Sequence, residues 1–170
     1  MNKKRRGFTL VELLVVIAII SILTVITVSQ FETARKKARD AQRKGDINSV
    51  SKALLMYYAD YNKFPKKSAI NSLLVMSPGE ANEFKDDQQY IYMKVMPRES
   101  RSGWAPYCYE VDDTNPTKFA IYTMLENTAD SDCHLKDGLP LYQDKCGTHD
   151  YCFAITSPNA RLNSSTGELE

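Results

Sequence analysis

A single carboxylate stands where a carboxylate is expensive. Glu12 is the only charged residue between Phe8 and Ser29, in a run that is otherwise mostly apolar. An acidic side chain in the hydrocarbon layer of a membrane costs about 2.5–3.5 kcal/mol on insertion scales, so it is expected to serve a function and to have a partner. The natural partner is an amine. Directly before the run lies a basic leader, Met1-Asn-Lys-Lys-Arg-Arg-Gly7, and then an aromatic residue, Phe8.

A second set of reactive groups sits far down the chain. Cys108, Cys133, Cys146 and Cys152 all fall after residue 100, with His134 and His149 among them. An even number of cysteines on one side of a membrane reads as two disulfides in an oxidising space. Three pairings exist. The reading favours Cys133 with Cys146, which closes a local loop, and Cys108 with Cys152, which ties two strands. Zinc is the rival, because Cys146-x2-His149-x2-Cys152 with Cys133-His134 upstream supplies enough sulfur and nitrogen. Free thiols are a third reading. Glu126, Asp130, Asp132 and Asp137 offer hard oxygen ligands, which suit calcium. Asp130 and Asp132 are the calcium candidates, and a solvated acidic loop is the alternative. No cofactor is otherwise expected. No Gly-rich phosphate loop, nucleophile elbow or zinc-protease helix occurs, so no enzyme activity is expected.

These groups need elements to hold them. Phe8 to Ser29 is 22 residues, about 33 Å of helix, enough to span a bilayer. A secretory signal peptide would want a shorter apolar core and a clear small-residue cleavage site, and Thr27 and Ser29 make only a weak one. A helix buried in a soluble domain would hardly be apolar on every face for six turns. A plain single-pass anchor fits the length but leaves Glu12 without a role. No proline precedes Pro65, so one helix is expected over residues 8 to about 62, near 80 Å long. Its second half changes character at Glu32. Ala34, Ala38, Ala41 and Gly45 recur at helical spacing, and Ile47, Val50, Leu54, Tyr57, Tyr58 and Tyr61 continue an apolar stripe that reads as core. Asn62 and Pro65 end the helix.

The formal net charge of +1 over 170 residues argues against general nucleic-acid affinity. Charge is nonetheless concentrated. Lys3, Lys4, Arg5 and Arg6 precede the apolar run, and Arg35, Lys36, Lys37, Arg39, Arg43 and Lys44 follow it. This collar reads as an anchor for anionic headgroups, as charge pairing between neighbouring copies, or as a nucleic-acid contact. Counting cations on either side does not settle orientation. Beyond Pro65 a short helix is expected over Ala69–Met76, stopped by Pro78-Gly79. Strands are expected over Tyr107–Val111, Lys118–Leu125 and Tyr151–Thr156, forming a small antiparallel sheet with one face on the amphipathic half-helix.

The run Gly7-Phe8-Thr9-Leu10-Val11-Glu12 resembles the prepilin leader of type IV pilins and type II secretion pseudopilins. The Tyr57–Pro65 helix exit and the order helix, loop, sheet are similar to the major pseudopilin. The chain departs from that pattern in two places: Ser29 stands where many members carry a proline, and Arg98–Trp104 replaces an Asp-Pro-Trp-Gly segment. The resemblance implies an α+β pilin-like fold: leader 1–7, transmembrane and assembly half-helix 8–30, amphipathic half 31–63, globular domain 64–158 and a flexible tail 159–170. It implies cleavage between Gly7 and Phe8 by a prepilin peptidase, N-methylation of Phe8, and Glu12 as the assembly carboxylate. It further implies partners in the membrane assembly platform, in other pilin or pseudopilin subunits and in lipid, with nucleic acid only for a DNA-uptake filament. The N-terminus would be cytoplasmic and the domain extracytoplasmic, in an inner-membrane protein whose filament stands in the periplasm or at the cell surface. The competing function is a single-pass anchored binding domain without filament assembly.

Overall fold

The computed structural model describes residues 7–75, 82–112 and 114–170, and of 26–29 the backbone alone. The leader cations Lys3 to Arg6 and the Pro78-Gly79 stop lie outside the described residues. The chain divides into two units, the first ending at Ala38 and the second running Arg39–Glu170.

In the first unit Gly7, Phe8 and Thr9 are not helical, and α1 (Leu10–Tyr61) starts at Leu10. Its large apolar side chains from Leu10 to Val25 are 47% to 78% exposed. A helix that is greasy on every face and covered on none needs lipid or other helices around it. The apolar stretch is long enough to cross a membrane.

In the second unit the helix acquires an inner face. Ile47, Val50, Ala53 and Leu54 are buried at helical spacing, as the stripe requires. Ala41 and Gly45 are exposed, so these small residues line a different face from the core; Ala34 and Ala38, in the first unit, are exposed as well. The helix ends as the sequence indicates: Asn62 takes a left-handed φ of 52°, and its N–H donates to the Tyr58 carbonyl at 2.8 Å.

After α2 (Lys67–Val75) come β1 (Phe84–Lys85), β2 (Ile91–Met93), β3 (Cys108–Val111), β4 (Phe119–Thr123), β5 (Leu135–Lys136), β6 (Leu139–Pro140), β7 (Tyr142–Lys145), β8 (His149–Tyr151) and β9 (Phe153–Thr156). The central sheet is antiparallel in the order β3-β4-β9. Side chains alternate across a strand. Tyr109, Val111, Phe119 and Ile121 therefore join Ile47, Val50, Leu54, Ile70 and Leu74 in one cluster. Cys108, Ala120 and Tyr122 face the other way, against Tyr142 and Tyr151. Every residue of β4 is buried, which explains why Phe-Ala-Ile-Tyr-Thr shows little polar alternation. The three sequence-read strands thus form one sheet, with helices on one face. The segment from β5 to β8 covers the other.

That segment contains short hairpins whose sequence signals are weak. β5 and β6 are joined by Asp137-Gly138 at φ 53° and 79°, a two-residue turn of the kind that matches strand twist. The last residues, expected as a flexible tail, fold back instead. Arg161 and Glu170 exchange both backbone hydrogen bonds, and Leu162 bridges Leu169. Gly167 makes this return feasible: its φ is 69°, and an added Cβ would lie 2.8 Å from the Tyr142 ring.

Candidate functional site

At the N-terminus a local device holds Glu12. Glu12 Oε2 accepts the Thr9 backbone N–H at 2.8 Å and the Thr9 hydroxyl at 2.8 Å, while the Glu12 N–H donates to Thr9 Oγ1 at 3.3 Å. This reciprocal pair is a capping box, with Thr9 as N-cap and Glu12 at the third helical position. It satisfies donors that the helix start would otherwise leave unpaired, and it puts a carboxylate at the positive end of the helix dipole. Both bonds from Thr9 use the same oxygen. Glu12 Oε1 accepts none among the described residues. Phe8, one residue before the cap, is 86% exposed.

The collar splits in two. Arg35, Lys36 and Lys37 are exposed, Arg35 lying 4.5 Å above the Phe31 ring. Arg39, Arg43 and Lys44, by contrast, bond to acids within their own unit. Arg43 is the centre. Its Nε and Nη2 clamp Glu99 at 2.6 and 3.0 Å, and its Nη1 reaches Asp40 at 2.8 Å and Glu126 at 2.9 Å. Arg39 clamps Glu126 with two bonds of 2.6 Å, and Arg101 reaches it at 2.7 Å. Asp40 in turn accepts the backbone N–H groups of Glu126 and Asn127. The guanidinium groups of Arg43 and Arg101 each lie 4.6 Å from the Trp104 ring. Three arginines balance Asp40, Glu99 and Glu126, and the Arg43, Asp40, Glu99 and Glu126 side chains are at most 5% exposed. Burial opposes charge on Arg43, but its bonds to Glu99, Glu126 and Asp40 outweigh that and raise its pKa.

The collar reading is therefore corrected for three of its six cations. Apart from Asp40, three residues before Arg43, their partners lie 56 to 88 residues further along, a distance that no local pattern exposes. Asp130 and Asp132, the calcium candidates, both accept from Lys44 Nζ, at 2.8 and 2.7 Å. The ammonium already sits where these two carboxylates converge. We expect millimolar calcium to leave the melting temperature of the full chain unchanged. A rise of several degrees, reversed by a chelator, would contradict this.

The same cluster sets an acid limit. The bonds from Arg39, then those from Arg43, outweigh burial and pull the Glu126 pKa down to about 2. A carboxylate with a depressed folded-state pKa contributes stability above its unfolded value near 4.5, and that contribution is lost as pH falls through the folded value. Titrating the full chain from pH 5 to pH 2 should remove roughly 3 kcal/mol from this group alone. Chemical denaturation midpoints that stay constant over that window would exclude it.

The four cysteines form two disulfides, but with the partners exchanged: Cys108–Cys146 and Cys133–Cys152. The favoured Cys108–Cys152 link fails for a topological reason. Cys108 lies on β3 and Cys152 just before β9, with β4 between them. Two strand spacings are about 9.5 Å, beyond disulfide reach. The β7–β8 hairpin instead lays Cys146 over Cys108, and the His134 N–H donates to the Cys152 carbonyl beside the second link. All four sulfurs are spent in these bonds, which removes the zinc reading, and no cluster of metal-ligating side chains occurs among the described residues. Closing loops 38 and 19 residues apart restricts the unfolded chain by roughly 3–4 kcal/mol each in the loop-entropy model.

A membrane-length helix with a capped carboxylate, running on into a disulfide-tied antiparallel domain, defines a pilin-type filament subunit. Comparison with known proteins specifies which. Residues 2–28 match the prokaryotic N-terminal methylation motif, and residues 30–132 match the type II secretion system (T2SS) protein G family. The second match covers more than half of the chain, and the chain belongs to that family. The type II secretion system core protein G of Aeromonas hydrophila is 34% identical over 100 residues, 58% of this chain and 70% of that protein. That of Escherichia coli K12 is 29% identical over 140 residues, 80% and 90% of the two chains. The type IV wide pilus major component PilA4 of Thermus thermophilus is 36% identical over 80 residues, 47% and 61%. No solved structure matches the chain significantly. The protein is a structural, membrane-anchored filament subunit of secretion or pilus type.

Proposed function

We propose that this chain is a secretion pseudopilus subunit, made competent by one cut and one ion pair. A prepilin peptidase cleaves between Gly7 and Phe8 on the cytoplasmic side, and the freed Phe8 amine is methylated. The observation that carries this reading is the capping box. It starts the helix at Leu10 and leaves the Gly7-Phe8 bond in exposed, non-helical backbone, open to an enzyme. It also survives the cut, because Thr9 keeps its amide and hydroxyl. Glu12 Oε1 then accepts the charged amine of a neighbouring copy.

In a greasy bundle that pair sets register as well as affinity, since a charge left unpaired there is strongly unfavourable. The apolar side chains from Leu10 onward supply non-directional packing. Assembly proceeds on an inner-membrane platform. The disulfides favour an oxidising space for the second unit, hence a cytoplasmic N-terminus and a periplasmic filament. Exposed Arg35, Lys36 and Lys37 suit an anionic headgroup layer. A type IV pilus is the second reading, favoured by the 36% identity to PilA4. The test is a bulky replacement, Gly7→Leu. It should abolish the shortened chain on blots of cells carrying a prepilin peptidase. A mature band of unchanged mass would refute the assignment of the cut.

A further inference from the structure

The central sheet has two outer edges, and the protein treats them differently. On β3 the outward backbone groups of Tyr109 are both taken by one side chain. Asn71 Oδ1 accepts the Tyr109 N–H at 2.8 Å, and Asn71 Nδ2 donates to the Tyr109 carbonyl at 2.9 Å. An amide from α2 thus imitates a further strand at Tyr109 and blunts that edge there.

The β9 edge is not closed in this way. The Ser157 N–H donates to the Phe119 carbonyl, and Ala120 stands opposite Thr156. Antiparallel alternation then turns the N–H and C=O groups of Ala154 and Thr156 away from β4. None of these four groups meets a partner among the described residues. They border a groove of about 550 Å³, lined also by Leu135, Leu141, Tyr142 and Leu162. No lysine, arginine, aspartate or glutamate lines it. Donors and acceptors repeating every second residue, beside walls that carry polar His134, Asn163 and Ser164 as well as leucines, are matched by an uncharged extended backbone.

The same chain carries a short segment of that kind: β2 is Ile-Tyr-Met, uncharged and extended, with Lys94 directly after it. β2 pairs with β1 in a two-stranded sheet, and no described strand pairs with its other edge. Tyr90 is 55%, Ile91 44% and Val95 66% exposed around it. The groove belongs to the face of the central sheet that packs Tyr142, whereas Tyr92 of β2 packs in the helix-side cluster. Two different patches on opposite sides of one domain make a head-to-tail contact, the kind that propagates instead of closing. We propose that β2 of a second copy, Ile91–Met93 with exposed Tyr90 and Val95 at its ends, adds as a strand to the β9 edge, giving the filament a domain-to-domain contact besides the Phe8–Glu12 pair. This rests on the filament reading above.

The experiment uses the full chain in cells that assemble it, with a photoreactive benzoylphenylalanine in place of Thr156. After irradiation of isolated filaments, peptide mapping should place the crosslink within residues 90–95 of another copy. Ile91→Asp, at an exposed position, should leave the melting temperature unchanged and reduce filament yield. Crosslinks that fall elsewhere, including on a different protein, or wild-type filaments from Ile91→Asp, would overturn the proposal. If the unsubstituted chain forms no filaments at all, the filament reading itself has failed, which is a separate result.

Discussion

Glu12→Ala is expected to leave cleavage after Gly7 intact and to lower filament yield a hundredfold or more. The substitution acts twice. It removes half of the capping box, since Thr9 loses the carboxylate that takes its N–H and hydroxyl, for about 1 kcal/mol of helix-start stability. Under the proposed pairing it also leaves the neighbour's amine unpaired inside an apolar bundle, a loss of about 3–5 kcal/mol. The unpaired amine decides the outcome, because each 1.4 kcal/mol is a factor of ten in association. Glu12→Gln separates the two effects. Its side-chain oxygen can still cap Thr9, but it carries no charge. Filament yields scored by electron microscopy and shearing should be nearly as poor for Gln as for Ala. If Gln restored assembly, the cap and not the charge would be the working part of Glu12. An anchored domain without assembly would be indifferent to both.

Arg43→Met should be the most damaging single change in the second unit. Methionine roughly fills the volume but leaves Asp40, Glu99 and part of Glu126 without the cation they share. Removing one member of a buried charge cluster costs about 3–5 kcal/mol, because the remaining charges stay buried. For a domain of this size that is on the order of a 10–20 °C fall in melting temperature. Glu126 would keep its clamp from Arg39 and its contact with Arg101, so the loop after β4 should loosen less than the loop carrying Glu99. Hydrogen exchange can read this difference segment by segment. A melting temperature within a few degrees of the parent would mean that the cluster specifies geometry without contributing to stability. The exposed cations Arg35, Lys36 and Lys37 provide the internal contrast, since their substitution should not move the melting temperature.

The legible parts of this fold were those written in local periodicity. The long helix, its left-handed stop at Asn62, the short second helix and the three main strands all follow from residue spacing within one element. Glu12 stood out for another reason: it breaks an apolar run, and rule violations point to candidate sites. What escaped was set by topology. The collar cations look alike in sequence, yet Arg35 is exposed and Arg43 is buried, because only the latter faces loops more than fifty residues away. The disulfide partners followed strand order, which places β4 between Cys108 and Cys152, and no spacing between cysteines encodes strand order. The hairpins β1–β2 and β7–β8 have arms of two to four residues with bulged registers, too short for alternation to show. Asp137-Gly138 was a readable turn signal, but its flanking strands are only two residues long.

The central claim is that Phe8 becomes the first residue of the assembled subunit and meets Glu12 of a neighbour there. Intact mass of the membrane-extracted chain, expressed with and without a prepilin peptidase, tests its premise most directly. The expected result is a peptidase-dependent product that begins at Phe8 and carries one added methyl group. A chain that still begins at Met1 in both samples would contradict the account and leave Glu12 as a helix cap alone.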